Sequence, residues 1–151
     1  MNDSTPYMFR CPNCMTKNRI PQDKVGTIAK CGKCATRLDT KNLFLPQPVT
    51  ITDGNFERMV IQSPLPVLLD CWAGWCGACT MLSPVIEALA DEWKGRVRVG
   101  KLDVEANPLL NARFTIRSLP TLLIFDGGQL KDTLIGALPK PQIVQKMAPF
   151  I

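Results

Sequence analysis

Six of the seven cysteines in this 151-residue chain fall into three C-x-x-C pairs: Cys11/Cys14 in "CPNC", Cys31/Cys34 in "CGKC" and Cys76/Cys79 in "CGAC". Such a pair either grips a metal or exchanges a disulfide, and the two outcomes need different surroundings. In a reducing compartment, paired cysteines are more often metal ligands or redox catalysts than structural staples. The opening residues "MNDSTPYMFR" lack the apolar stretch of a secretory signal, and no segment approaches the roughly 18 apolar residues of a membrane span. The expected setting is therefore cytoplasmic, without membrane attachment. The chain has no histidine, which excludes Cys-His hydrolases, Ser-His triads and metal sites built on imidazole.

"RCPNC" and "KCGKC" read as a pseudo-repeat, a basic residue before each turn, with 16 residues between Cys14 and Cys31. That spacing lies within the pattern of a four-cysteine zinc site, in which two turns present four thiolates tetrahedrally. A piece of fewer than about 50 residues rarely folds on its apolar area alone, so bound metal would supply the missing free energy. Cys11, Cys14, Cys31 and Cys34 are thus expected to hold Zn²⁺, with iron in a rubredoxin-like site as the rival for the same ligands. The charge is lopsided: residues 1–47 carry eight Lys/Arg against three Asp/Glu, whereas residues 48–151 carry ten of each. Only Tyr7 and Phe9 accompany this basic excess, too few for a stacking platform, so nucleic acid is not an expected partner. Pro46 and Pro48 mark a connector. The chain divides into an expected zinc module, residues 1–47, and a second domain, residues 48–151.

The second domain alternates strand and helix signals. "VTI" reads as a short strand, and Asp53 is placed to cap a helix reaching Gln62. "PVLLDCWA" is a continuous apolar run, as in a strand buried on both faces. After "GWCGAC", Met81, Leu82, Val85, Ile86, Leu89 and Trp93 recur at helical spacing, with Pro84 inside. "RVRVGKLDV" predicts a strand, "NPLLNARF" a short helix, "PTLLIF" and "LKDTLIGAL" a hairpin around "DGG", and "KPQIVQKMAPF" a closing helix. This order implies an α/β fold with a mixed central sheet flanked by helices. Cys76 and Cys79 stand where a buried strand gives way to a helix. Unpaired N–H groups and the helix dipole favour a thiolate there, and the i, i+3 spacing brings Cys79 within disulfide reach of Cys76. The other four paired cysteines already form a closed set, so this pair reads as the redox one.

"DCWAGWCGAC", "KLDVEANP", "IRSLPTLLIF" and "IGAL" resemble segments of the thioredoxin family, and the likeness covers most of residues 49–151. Four cysteines in front resemble that family's zinc-carrying bacterial branch, the thioredoxin-2 type. The resemblance implies a thioredoxin fold preceded by a small zinc-ribbon-like module, and a protein-disulfide reductase. Cys76 would attack a partner's disulfide, and Cys79, expected to be the less exposed, would resolve the mixed disulfide. Asp70 would accept the resolving proton, burial having raised its pKa, and Lys101 would pair with it electrostatically. Pro120 would be cis, the backbone of Leu119 would hold an extended substrate segment, and Trp75, Gly77, Ala78, Val104, Ile135 and Gly136 would complete the contact surface. Implied partners are disulfide-bearing proteins and a flavin- and NADPH-dependent thioredoxin reductase. The chain itself would carry no organic cofactor and would be monomeric.

Departures qualify the resemblance. Ala78 replaces the usual proline and restores an N–H beside the Cys76 sulfur, which is expected to favour the thiolate and make the protein more oxidising. Thr80 stands at a usual Lys/Arg position, and Cys71 at an aromatic one, where it reads as a small buried hydrophobe. Two other functions fit the same residues: a redox-sensing protein whose zinc module binds a target, and a disulfide isomerase or oxidant.

Overall fold

The structure, a computed structural model, describes residues 5–151. Each cysteine turn of the N-terminal module closes an antiparallel hairpin, β1 (Tyr7–Arg10) with β2 (Lys17–Ile20) and β3 (Ile28–Lys30) with β4 (Arg37–Asp39). The pseudo-repeat of the sequence is a geometric repeat. Cys11 N–H donates to the Thr16 carbonyl and Cys31 N–H to that of Thr36, both at 2.8 Å. Met15 and Ala35, each just past the second cysteine of its turn, adopt φ of 66° and 62°. Left-handed backbone is uncommon outside glycine, and its recurrence here marks two copies of one knuckle.

The module has little core of its own. Phe9, Ile20 and Leu43 are buried together with Leu65 of the second domain, and Tyr7 and Phe44 pack against them. At Gly95, with φ +80°, a Cβ would lie 2.2 Å from the Phe44 ring, so only glycine fits. Polar ties add direction: Arg10 N–H donates to the Pro64 carbonyl at 2.7 Å and Gly95 N–H to that of Leu43 at 3.0 Å. The Arg10 guanidinium lies 3.6 Å from the Asp126 carboxylate. The metal module is docked on the second domain rather than strung from it.

That domain is a five-stranded mixed sheet in the order β5-β7-β6-β8-β9. Its strands are β5 (Val49–Ile51), β6 (Val67–Trp72), β7 (Arg98–Asp103), β8 (Thr121–Asp126) and β9 (Gln129–Ile135). β5 and β6 run parallel to β7; β8 is antiparallel to β6 and to β9. The helices are α1 (Gly77–Glu92), α2 (Pro108–Arg113) and α3 (Lys140–Met147). The period-two alternation of a strand splits β6 between two layers. Leu68 joins Leu82, Ile86 and Leu89 of α1 and Ile143 and Met147 of α3. Val67, Leu69 and Cys71 join Phe56, Val60 and Leu110 on the opposite face.

One local expectation fails. The segment after β5 is not an α-helix capped by Asp53 but a π-helical turn, Glu57–Ile61. The Asp53 carboxylate instead accepts the N–H groups of Leu109 (3.2 Å) and Leu110 (2.9 Å), capping α2 from across the fold. The capping chemistry is as read; the orphan donors it serves belong to another helix.

The metal module borders the end of the sheet where β6 and β7 begin and β8 finishes, since its partners are Pro64, Leu65, Gly95 and Asp126. The Cys76 pair follows the other end of β6. Six residues of strand, at about 3.3 Å each, put roughly 20 Å between the two poles. Among the described residues no helix is long and apolar enough to cross a membrane.

Candidate redox site and metal centre

β6 ends at Trp72, and the next residues carry the chain to the start of α1. Cys76 is the N-cap of that helix: its backbone is extended, and its Sγ accepts the Cys79 N–H at 3.1 Å. The two cysteines are joined as a disulfide, with Cα atoms 5.3 Å apart. They are almost equally buried, 6% and 5% exposed, so accessibility does not separate their roles. Their relation to the helix differs: only Cys76 precedes the first turn and receives its N–H and dipole. The Ala78 N–H makes no hydrogen bond to the Cys76 sulfur in this disulfide form, where Cys79 N–H is the donor. The donor restored by alanine is therefore not directed at Cys76 while the cysteines are bonded.

Asp70 belongs to the α1 side of β6 by strand alternation, the side from which Cys79 faces the sheet. It is 1% exposed, and neither carboxylate oxygen has a hydrogen-bond partner among the described residues. Burial pushes its pKa up to about 6, against the opposing pull of the Lys101 charge. Lys101 is its register partner on β7. The Lys101 ammonium donates to Ser83 Oγ on α1 at 3.1 Å and sits 5.4 Å from the centre of the Trp72 ring. Trp72, Cys79, Ser83 and Lys101 share the wall of a cleft of about 170 Å³. Ser83 was not among the expected residues, yet it lies four residues after Cys79, on the same helical face.

The Leu119–Pro120 peptide is cis, as the resemblance implies. Gly136 N–H donates to the Pro120 carbonyl at 2.9 Å, tying the turn after β9 to it. Trp75 and Ile135 stand out at 70% and 64% exposure. Trp75, Val104 and Leu119 line one groove of about 460 Å³, while Gly77 and Ala78 are exposed at the start of α1. The Trp75 indole N–H donates to Glu105, a second residue that sequence reading passed over; its signal was only its place beside Val104. Cys71 is fully buried, and burial followed by the Asp70 charge raises its pKa. It lies on the sheet face away from α1, as expected of an apolar filler.

At the other pole the Sγ atoms of Cys11, Cys14, Cys31 and Cys34 lie within 4.8 Å of one another. Two cross-knuckle pairs, Cys11/Cys34 and Cys14/Cys31, are 3.6 Å apart. A tetrahedron of thiolates bound at about 2.3 Å has edges of about 3.8 Å, so the sulfurs fit a single ion. Hydrogen bonds favour the thiolate at Cys31 and Cys34, whereas burial pushes the Cys11 thiol up. Lys33 N–H points at Cys31 Sγ (3.4 Å) and the Asn13 amide at Cys34 Sγ (3.6 Å). The Thr36 hydroxyl, 3.0 Å from Cys34 Sγ, leads the hydrogen bonds that lower the Cys34 pKa to about 5.

Comparison with known proteins places both halves. The family model described as Thioredoxin matches residues 47–149, and one described as Thioredoxin 2, N-terminal, matches residues 10–36. Thioredoxin from Porphyra purpurea is 45% identical over 101 residues, 67% of this chain and 94% of that protein. Thioredoxin from Chlorobaculum thiosulfatiphilum is 48% identical over 64% of this chain and 89% of its own. Thioredoxin 2 from Chlorobaculum tepidum is 46% identical over 64% of this chain and 88% of its own.

Proposed function

This chain belongs to the thioredoxin family and is a protein-disulfide oxidoreductase, and from that premise we propose a reductase cycle run by Cys76 and Cys79. Reduced Cys76, held at the N-terminus of α1, is the thiolate. Its sulfur attacks one sulfur of a substrate disulfide; that S–S bond breaks, the other substrate sulfur leaves as a thiolate, and a mixed disulfide forms. Cys79 then gives its proton to Asp70 and attacks Cys76 Sγ. The mixed disulfide breaks, the second substrate sulfur departs, and the Cys76–Cys79 disulfide results. Two electrons have passed to the substrate.

The observation that carries this reading is the Cys79 N–H donated to Cys76 Sγ at the first turn of a helix. The assignment of Asp70 as proton acceptor is supported by its burial, its lack of a hydrogen-bond partner among the described residues and a pKa of about 6. Lys101, anchored by Ser83, lowers the cost of charging it. An extended substrate segment would run along Leu119 beside cis-Pro120, with Trp75, Gly77, Ala78, Val104, Ile135 and Gly136 around it. A flavin- and NADPH-dependent thioredoxin reductase would return the pair to dithiol, and the reducing cytoplasm is the compartment in which such a cycle operates.

Cys11, Cys14, Cys31 and Cys34 would hold Zn²⁺, which when bound contributes folding free energy. Its distance from the disulfide leaves it outside the reaction. The division into residues 1–47 and 48–151 is supported by the two family matches, which leave 37–46 between them. The test is NADPH-coupled reduction of insulin. Cys76→Ser should abolish turnover and Cys79→Ser should stall as a trapped mixed disulfide. Turnover surviving in Cys76→Ser would refute the cycle.

A further inference from the structure

Arg98, at the start of β7, is a partly buried cation with no carboxylate in ion-pair range among the described residues. One guanidinium nitrogen, Nη1, donates to the Met59 carbonyl at 2.7 Å in the π-helical turn. A guanidinium has five N–H donors. Burial lowers its pKa. Desolvating a cation without a paired counter-ion is unfavourable, so an anion bound beside Arg98 would be favoured.

Those surroundings are a groove of about 450 Å³ between the connector and the π-helical turn. Leu43, Leu45 and Met59 make its walls apolar, and Leu45 is among the exposed large hydrophobics. A second guanidinium, Arg58, lines the same groove and is likewise without an ion pair among the described residues. The acid on the wall is Asp39, whose carboxylate accepts the Lys41 N–H at 2.9 Å. Two cations against one acid leave a single positive charge in an apolar trough. The groove lies at the pole of the metal module, remote from the disulfide.

We propose that this groove binds a small organic carboxylic acid with an apolar body. Arg98 and Arg58 hold the carboxylate, and Leu43, Leu45 and Met59 cover the hydrocarbon. A planar guanidinium fork matches a carboxylate, one excess charge suits a monoanion, and the volume is that of a small-molecule pocket. Because its walls come from the connector and from the redox domain, an occupant would clamp one to the other.

The probe is octanoate, titrated into the full-length, metal-loaded, oxidised protein and followed by backbone amide NMR. Saturable shifts should centre on Leu43, Leu45, Met59 and Arg98. Octanamide, of the same body without the charge, should bind about ten-fold more weakly, the worth of a charged hydrogen bond. Arg98→Met, which keeps the apolar stem, should weaken octanoate by about ten-fold or more, and Arg58→Gln several-fold. Shifts located elsewhere, octanamide binding as tightly as octanoate, or phosphate binding as tightly as octanoate would overturn the proposal. So would an affinity unchanged in both variants. If Arg98→Met loses its amide dispersion, Arg58→Gln and the octanamide comparison decide.

Discussion

Replacing Asp70 by asparagine removes a charge that the fold buries with no hydrogen-bond partner among the described residues. The folded-state pKa is about 6 against an ordinary 3.8, a gap of about 2.2 pH units. At 1.36 kcal/mol per unit, that gap is worth about 3 kcal/mol. The sign follows from which state holds the proton more tightly. Here the folded state does, so the contribution is fully present below pH 3.8, is lost as pH rises through about 6, and stays lost above it. The substituted side chain brings an amide whose own unmet hydrogen bonds cost about 1–3 kcal/mol at every pH, which offsets the variant's curve without tilting it. The quantity to read is therefore the difference between the two proteins as a function of pH. Urea unfolding of the oxidised, metal-loaded forms should show the wild type losing about 2–3 kcal/mol relative to Asp70→Asn between about pH 4 and pH 8. Metal release at low pH affects both alike and cancels. Parallel curves across that range would refute the reasoning, because a carboxylate solvated as in the unfolded chain produces no such tilt.

Other perturbations test other parts of the structure. Ala78→Pro removes an N–H that makes no bond to the Cys76 sulfur in the disulfide but is expected to donate to a Cys76 thiolate once the pair is reduced. A charged hydrogen bond of about 1.5–3 kcal/mol corresponds to roughly 30–60 mV, so the variant should be more reducing by that amount in equilibrium with glutathione, and an unchanged or higher potential contradicts the role given to this donor. Gly95→Ala drives a methyl group into the Phe44 ring at a left-handed position; thermal or urea unfolding should register a loss of about 2–4 kcal/mol, and a neutral result would mean that the metal module is not docked as described. Cys34→Ser should cut metal content measured by atomic emission and unravel the hairpins in far-UV circular dichroism. Insulin reduction should persist in that variant, and its loss would mean that the metal pole and the disulfide pole communicate.

Much of the architecture was legible because its signals are local. "PVLLDCWA" reads as a strand covered on both faces, and Leu68 and Leu69 do face opposite layers. The two knuckles share a left-handed residue at the same offset, Met15 and Ala35, so a repeat in residue types became a repeat in φ. Where reading went astray, the partner was distant. Asp53 has the right chemistry for a cap, but the helix start that reaches it is α2, more than fifty residues on. The burial difference expected between Cys76 and Cys79 is absent from the disulfide form. Ser83 and Glu105 declare themselves only once α1 packs on β7 and Trp75 swings over the following loop.

The order of residues by itself separated the three like pairs into two kinds of site, because spacing, flanking charge and the onset of a helix are properties of a few neighbouring positions. Folding alone decided what no neighbour could reveal: that the metal module sits at the far end of the sheet from the disulfide, that Asp70 is sealed without a hydrogen bond among the described residues, and that Arg98 has no ion pair among them. Each of these depends on residues brought together from distant stretches of chain, and their energies come from burial and proximity, which exist only after the layers have closed.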